Sequence, residues 1–99
     1  MQVLLDEQLT ADAAERLRRL LLDGLARQPG VGVLRLDGQQ VLSVEVPCLQ
    51  VLLAAAHQAV TQGCLLELYR PSPVLKEALR LLGIESLLSV QTDARDEAS

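Results

Sequence analysis

Two hydrophobic periods alternate along this chain, and that alternation limits the fold more than any other feature. Short apolar runs at Gln2–Leu5, Val31–Leu36 and Cys64–Tyr69 each precede a stretch whose apolar residues recur at helical spacing. The first such stretch places Ala13, Ala14, Leu17, Leu20, Leu21 and Leu25 on one side, with Glu15, Arg16, Arg18, Arg19, Asp23 and Arg27 between them. Thr10 stands where it can cap this helix, Asp12 falls in its first turn, and Pro29-Gly30 stops it. A second helix is predicted from Pro47 to Gln62, apolar over most of its circumference and ended by Gly63. A third begins at Ser72-Pro73, is expected to bury Val74, Leu75, Ala78, Leu79 and Leu82, and ends at Gly83. Val41–Val44 extends or follows the second strand, and Ile84, Leu87, Leu88 and Val90 form a closing helical turn or a last extended piece. This order predicts an α/β domain: a mixed, mostly parallel sheet of about four strands covered by about four helices.

Ninety-nine residues suffice for one core, placed at 1–90, with the polar and acidic residues 91–99 read as a flexible tail. With one Tyr and neither Phe nor Trp, Leu and Val must supply nearly all the core volume. Nine basic residues against thirteen acidic ones, for a net charge of −4, argue against a nucleic-acid partner, whose phosphates call for clustered Lys and Arg. The longest uncharged stretch, Val46 to Leu66, reaches membrane-spanning length. It is interrupted by Pro47, Gln50, His57, Gln58, Thr61, Gln62 and Gly63, so no membrane insertion is expected. The N-terminus has no signal-peptide pattern. Cys48 and Cys64 lie far apart among apolar residues and read as reduced core thiols, consistent with a cytoplasmic protein.

Little in the chain points to catalysis. His57 is a lone histidine on the polar side of the second helix, without a nucleophile or acid at working spacing. Pro29-Gly30-Val31-Gly32 lacks the Lys-Ser/Thr of a phosphate loop and leads into a strand. Neither an enzyme activity nor a metal or other cofactor is expected. The arginines of the first helix read as a solvated face interspersed with acids, or as a patch that steers a protein partner.

The stretch from Val31 to Leu53 resembles the STAS family, the fold of anti-sigma-factor antagonists. The strand end Leu36-Asp37, the Val41 and Val44 positions and the helix start Leu49-Gln50-Val51-Leu52-Leu53 carry the resemblance. Gln62-Gly63-Cys64-Leu65-Leu66-Glu67-Leu68 is similar to the family's third strand, and Ser72-Pro73-Val74 with Leu79-Arg80-Leu81-Leu82-Gly83-Ile84 to its closing helix. The resemblance covers roughly Val3 to Leu88 and implies a small STAS-type domain that binds proteins. It also implies that the loop entering the second helix is the docking edge, so Asp37, Ser43, Glu45, Val46, Pro47 and Gln50 become the candidate partner-binding residues. Where the family has Asp-Ser-Ser-Gly, this chain has Glu45-Val46-Pro47-Cys48. The phosphoacceptor serine is thus replaced by Val46, which has no hydroxyl, and Ser43 is expected to point elsewhere along the strand end. Glu45 is read either as an electrostatic cap of the second helix or as part of the docking loop. The partners implied are a kinase-like anti-sigma factor or a chemotaxis component; the alternative is the ATPase of a lipid-transport ABC complex.

Overall fold

The computed structural model describes residues 2–28, 32–83 and 89–91. Four strands, β1 (Gln2–Leu4), β3 (Val33–Asp37), β5 (Leu65–Tyr69) and β6 (Ser89–Gln91), form one sheet in the order β1-β3-β5-β6, and every pairing in it is parallel. β1 is an edge strand. A second, two-stranded parallel sheet joins β2 (Gln8–Leu9) to β4 (Ser43–Val44). The helices are α1 (Ala14–Ala26), entered through a 3₁₀ turn at Ala11–Ala13, α2 (Val46–Gln62) and α3 (Pro73–Leu81).

Strand alternation sorts the sheet into two faces. Val3, Leu34, Leu36, Leu66 and Leu68 are buried in one continuous core with Leu17, Leu21 and Leu25 of α1, Leu49, Leu52 and Ala56 of α2, and Leu75 and Leu79 of α3. The opposite face carries exposed Leu4, Val33 and Leu65 and a row of polar side chains. Both thiols are buried and unpaired, as expected of core cysteines. Cys64 Sγ donates to the Gly32 carbonyl at 3.1 Å.

Several local signals act as their chemistry predicts. Gly63 takes the left-handed conformation (φ 76°) that ends α2, which a side chain would strain. Ser72 Oγ accepts the Leu75 amide at 3.1 Å and Pro73 opens α3. Others differ. Thr10 holds the cap position before the 3₁₀ turn, yet its hydroxyl makes no cap bond. Of the predicted stripes, Leu20, Val60, Val74 and Leu82 are exposed, because each faces outward from a helix that has only one neighbouring layer to bury against. Only Ser43–Val44 of the Val41–Val44 run is a strand, and it pairs with β2, not with the main sheet. Gln91, expected in the tail, pairs with Tyr69 in β6, so the closing piece is extended over 89–91. The expectations for Pro29–Val31, Ile84–Leu88 and 92–99 lie outside the described residues.

Candidate protein-docking surface

The β4–α2 junction is strapped to the segment before α1. The Leu42 and Ser43 amides donate to the Glu7 carbonyl (2.8 and 3.2 Å), and the Glu45 amide donates to the Leu9 carbonyl at 2.8 Å. Ser43 Oγ bonds Gln8 Oε1 across the same pair of strands. Two side chains extend the clasp. Glu45 Oε1 accepts the Ala11 amide at 2.8 Å, and Cys48 Sγ donates to the Thr10 carbonyl at 3.2 Å. Glu45 is the backbone cap residue of α2, but its carboxylate makes no cap bond to that helix and instead accepts from the 3₁₀ turn that leads into α1. α2 can spare it: Pro47 has no amide to satisfy, and the Cys48 amide bonds the Glu45 carbonyl at 3.0 Å. Burial first, then the neighbouring Glu45 carboxylate, push the Cys48 thiol above its ordinary pKa. It stays a protonated donor, unsuited to nucleophilic work.

On this strapped base, apolar groups face outward. Val46 is 60% exposed and Leu42 62%, and Pro47, next to Val46, is half-buried. Gln50 is exposed one turn along α2 from Val46. α3 packs beside β4, and its Val74 is exposed as well. Leu42 and Val74 were not among the candidates from the sequence. Alternation about buried Val41 would have pointed to Leu42, whereas Val74 followed the helical pattern and only packing shows it outside.

Asp37 lies elsewhere. At 3% exposure it is inside the protein at the end of β3, where Oδ1 accepts the Gln39 amide and Oδ2 the Arg70 guanidinium, each at 3.1 Å. Arg70 is held in a left-handed conformation (φ 49°) and its guanidinium lies 4.7 Å from the Tyr69 ring centre, with that of Arg35 at 4.8 Å. Arg35 in turn pairs with Glu67 at 2.6 Å, directly across β3 and β5. Gly38 follows Asp37 and bonds both neighbours: its amide donates to the Tyr69 carbonyl and its carbonyl accepts the Ser72 amide, each at 3.0 Å. A Cβ there would stand 2.7 Å from Leu75 Cδ2, so any larger residue would have to displace that buried leucine. Asp37 thus orders the β3 and β5 ends, while Ser43, Val46, Pro47 and Gln50 share the loop surface. His57 is exposed on α2, away from the loop. Among the described residues no three His, Cys, Asp or Glu side chains gather as a metal site, and no helix is long and apolar enough to cross a membrane.

Comparison with known proteins agrees with this architecture. No curated protein sequence matches the chain. A crystal structure of a candidate anti-sigma factor antagonist from Thermotoga maritima, TM1081, superposes with a TM-score of 0.76 over 98% of this chain and 83% of that one, at 19% identity. An NMR structure of the protein TM1081 superposes with a TM-score of 0.77 over 96% of this chain and 75% of that one, at 14% identity. At such identities the likeness speaks for the fold. The family model described as "Mlab, STAS domain" matches residues 1–89. Spanning nearly all of a chain whose strands and helices take up the same arrangement, that match places the protein in the STAS domain family.

Proposed function

We propose that this chain is a non-enzymatic regulatory module that binds a protein partner through the β4–α2 loop and the outer side of α2. The observation that carries the reading is the pair of exposed aliphatic side chains, Val46 and Leu42, on a junction held rigid by its bonds to residues 7–11. Exposed apolar groups on an ordered base bind without an entropic cost of ordering the loop. Ser43, Pro47 and Gln50 complete the surface, and Glu45 holds its frame. Docking is constitutive, because Val46 offers no hydroxyl where signalling relatives are phosphorylated, and the Ser43 hydroxyl is engaged with Gln8. The partner is a kinase-like anti-sigma factor or another bacterial signalling protein, such as a chemotaxis component.

A second reading, an accessory subunit of a lipid-transport ABC complex on its cytoplasmic ATPase, is favoured by the same missing hydroxyl, since a permanent subunit needs no phospho-switch. Affinity capture of the tagged chain from its native lysate separates the two: a kinase-like ATPase or chemotaxis component supports the first, an ABC ATPase with its permease the second. Val46→Asp places a charge in the apolar surface and is expected to weaken the captured complex at least about tenfold, about 1.4 kcal/mol. Undiminished binding with unchanged thermal stability would move the interface off this loop.

A further inference from the structure

Most charges of the described residues neutralise one another, and those that do not gather in one place. Every described arginine is ion-paired. Arg16 takes Asp6, Arg18 and Arg19 share Glu15, Arg27 takes Asp23, and Arg80 takes Glu77. Arg35 and Arg70 hold Glu67 and Asp37. Among the described residues Glu7, Asp12 and Glu45 are then the carboxylates without a cation, and Lys76 is the cation without a carboxylate.

The three unpaired carboxylates flank the docking loop. The Glu7 carbonyl accepts the Leu42 amide, which sets Glu7 beside exposed Leu42. Glu45 directly precedes exposed Val46 and accepts the amide of Ala11, the residue before Asp12. All three are exposed. The excess survives a full count of the neighbouring charges. Residues 6–19 and 40–50 together carry five carboxylates against three guanidiniums. α3, packed beside β4, adds Lys76 and the neutral Glu77–Arg80 pair, and the end of β3 adds the neutral Asp37–Arg70 pair. The surface stays negative. Its carboxylates do not converge as a metal site, so the charge is spread along the apolar surface. A partner that covers Leu42 and Val46 takes water from the carboxylates beside them. An unpaired charge that loses its water is costly, and a like charge opposite it is costlier still.

We infer that the protein partner meets the β4–α2 loop with aliphatic side chains ringed by lysine or arginine, the aliphatic groups on Leu42 and Val46 and the cations on Glu7, Asp12 and Glu45. This deepens the docking reading and rests on it: that reading names the surface, and the unpaired carboxylates name the chemistry of what covers it. The probe is a synthetic peptide of about ten residues, a central pair of leucines flanked on each side by arginines. It is titrated into the isotope-labelled full chain and followed residue by residue in heteronuclear NMR spectra. A counterpart peptide carries Glu in place of Arg.

The arginine peptide should bind saturably, shift the amides of Glu7, Leu42, Glu45 and Val46, and bind at least about fivefold tighter than the glutamate peptide. Its affinity should fall at least about threefold as sodium chloride rises from about 50 to about 300 mM. The triple variant Glu7→Gln, Asp12→Asn, Glu45→Gln keeps side-chain size and an oxygen for the Ala11 amide. It should weaken the arginine peptide at least about fivefold and abolish the preference between the peptides. Glu7→Gln alone decides the matter should the triple variant fail to fold by circular dichroism. The Glu7 side chain bonds to no described residue, and its neutralisation should weaken the arginine peptide at least about twofold. Equal binding of the two peptides, indifference to salt, or undiminished binding to the neutralised variants would overturn the inference. Leu42→Ser with Val46→Ser tests the surface apart from its charge. Loop shifts without preference between the peptides, lost in that variant, would refute the charge inference and leave the docking reading standing. Shifts confined to the outer side of α1 or to the open sheet face would refute both.

Discussion

Helices α2 and α3 start from nearly the same local geometry. Their cap residues, Glu45 and Ser72, are both extended, at φ −101°, ψ 158° and φ −63°, ψ 159°, and both helices carry a proline in the first turn and an exposed valine beside it. Ser72 closes its own helix, its hydroxyl taking the Leu75 amide three residues on. Glu45 instead reaches across 34 positions to the Ala11 amide. One cap is a property of four consecutive residues. The other exists only once β2 and β4 have paired, and it ties the start of α1 to the start of α2. The Ser72 cap bond lies within one turn, although the Ser72 amide also donates to the Gly38 carbonyl, whereas the Glu45 bond ties the loop that bears Val46 to the segment before α1.

The comparison can be tested by breaking each cap. Ser72→Ala removes a buried acceptor and should cost the most, about 1–2 kcal/mol in urea unfolding. Glu45→Ala, at an exposed site, should cost less, about 0.5–1 kcal/mol. A double-mutant cycle sharpens the second value. Ala11→Pro removes the donor while keeping a residue suited to the first helical position, and the extended Thr10 before it suits a proline. In that background Glu45→Ala should cost less than about 0.3 kcal/mol; undiminished cost would mean that Glu45 acts elsewhere.

The smallest effect concerns Cys48, the other side chain of the tertiary clasp. Its thiol is held above the ordinary value, so at alkaline pH the unfolded chain ionises before the folded one. The stability from this source is complete below about pH 8.5, the usual thiol value, and is lost as pH rises through the folded value. Thermal unfolding followed from pH 8 to 10 should therefore decline more steeply for the unaltered chain than for Cys48→Ala. Parallel curves would show that the thiol does not titrate differently in the two states.

The sequence supported the fold more fully than the site. Ser72-Pro73 and Gly63 were legible because each acts through bonds within a few residues of itself. The β2–β4 sheet was not: strands of two residues each are too short to show a period, and the pairing spans the whole of α1 and β3. Leu20, Val60 and Val74 fitted helical stripes and yet are exposed, because a period defines which residues share a side but not how wide a strip the neighbouring layer covers. Asp37 illustrates the converse. A carboxylate at a strand end reads as a surface group, and here the Gln39 amide and Arg70 satisfy it inside the protein.

What the sequence alone determined is the alternation of β1, α1, β3, α2, β5 and α3, and the roles of Gly63, Ser72 and Pro73 at helix ends and starts, since these follow from steric and hydrogen-bonding rules that act over one or two turns. Only the tertiary structure decided which carboxylate caps which helix, which aliphatic side chains stay exposed on the loop, and which carboxylates beside them have no cation. Those features depend on distances between residues some thirty positions apart, and such distances exist only after the sheet has set the helices side by side.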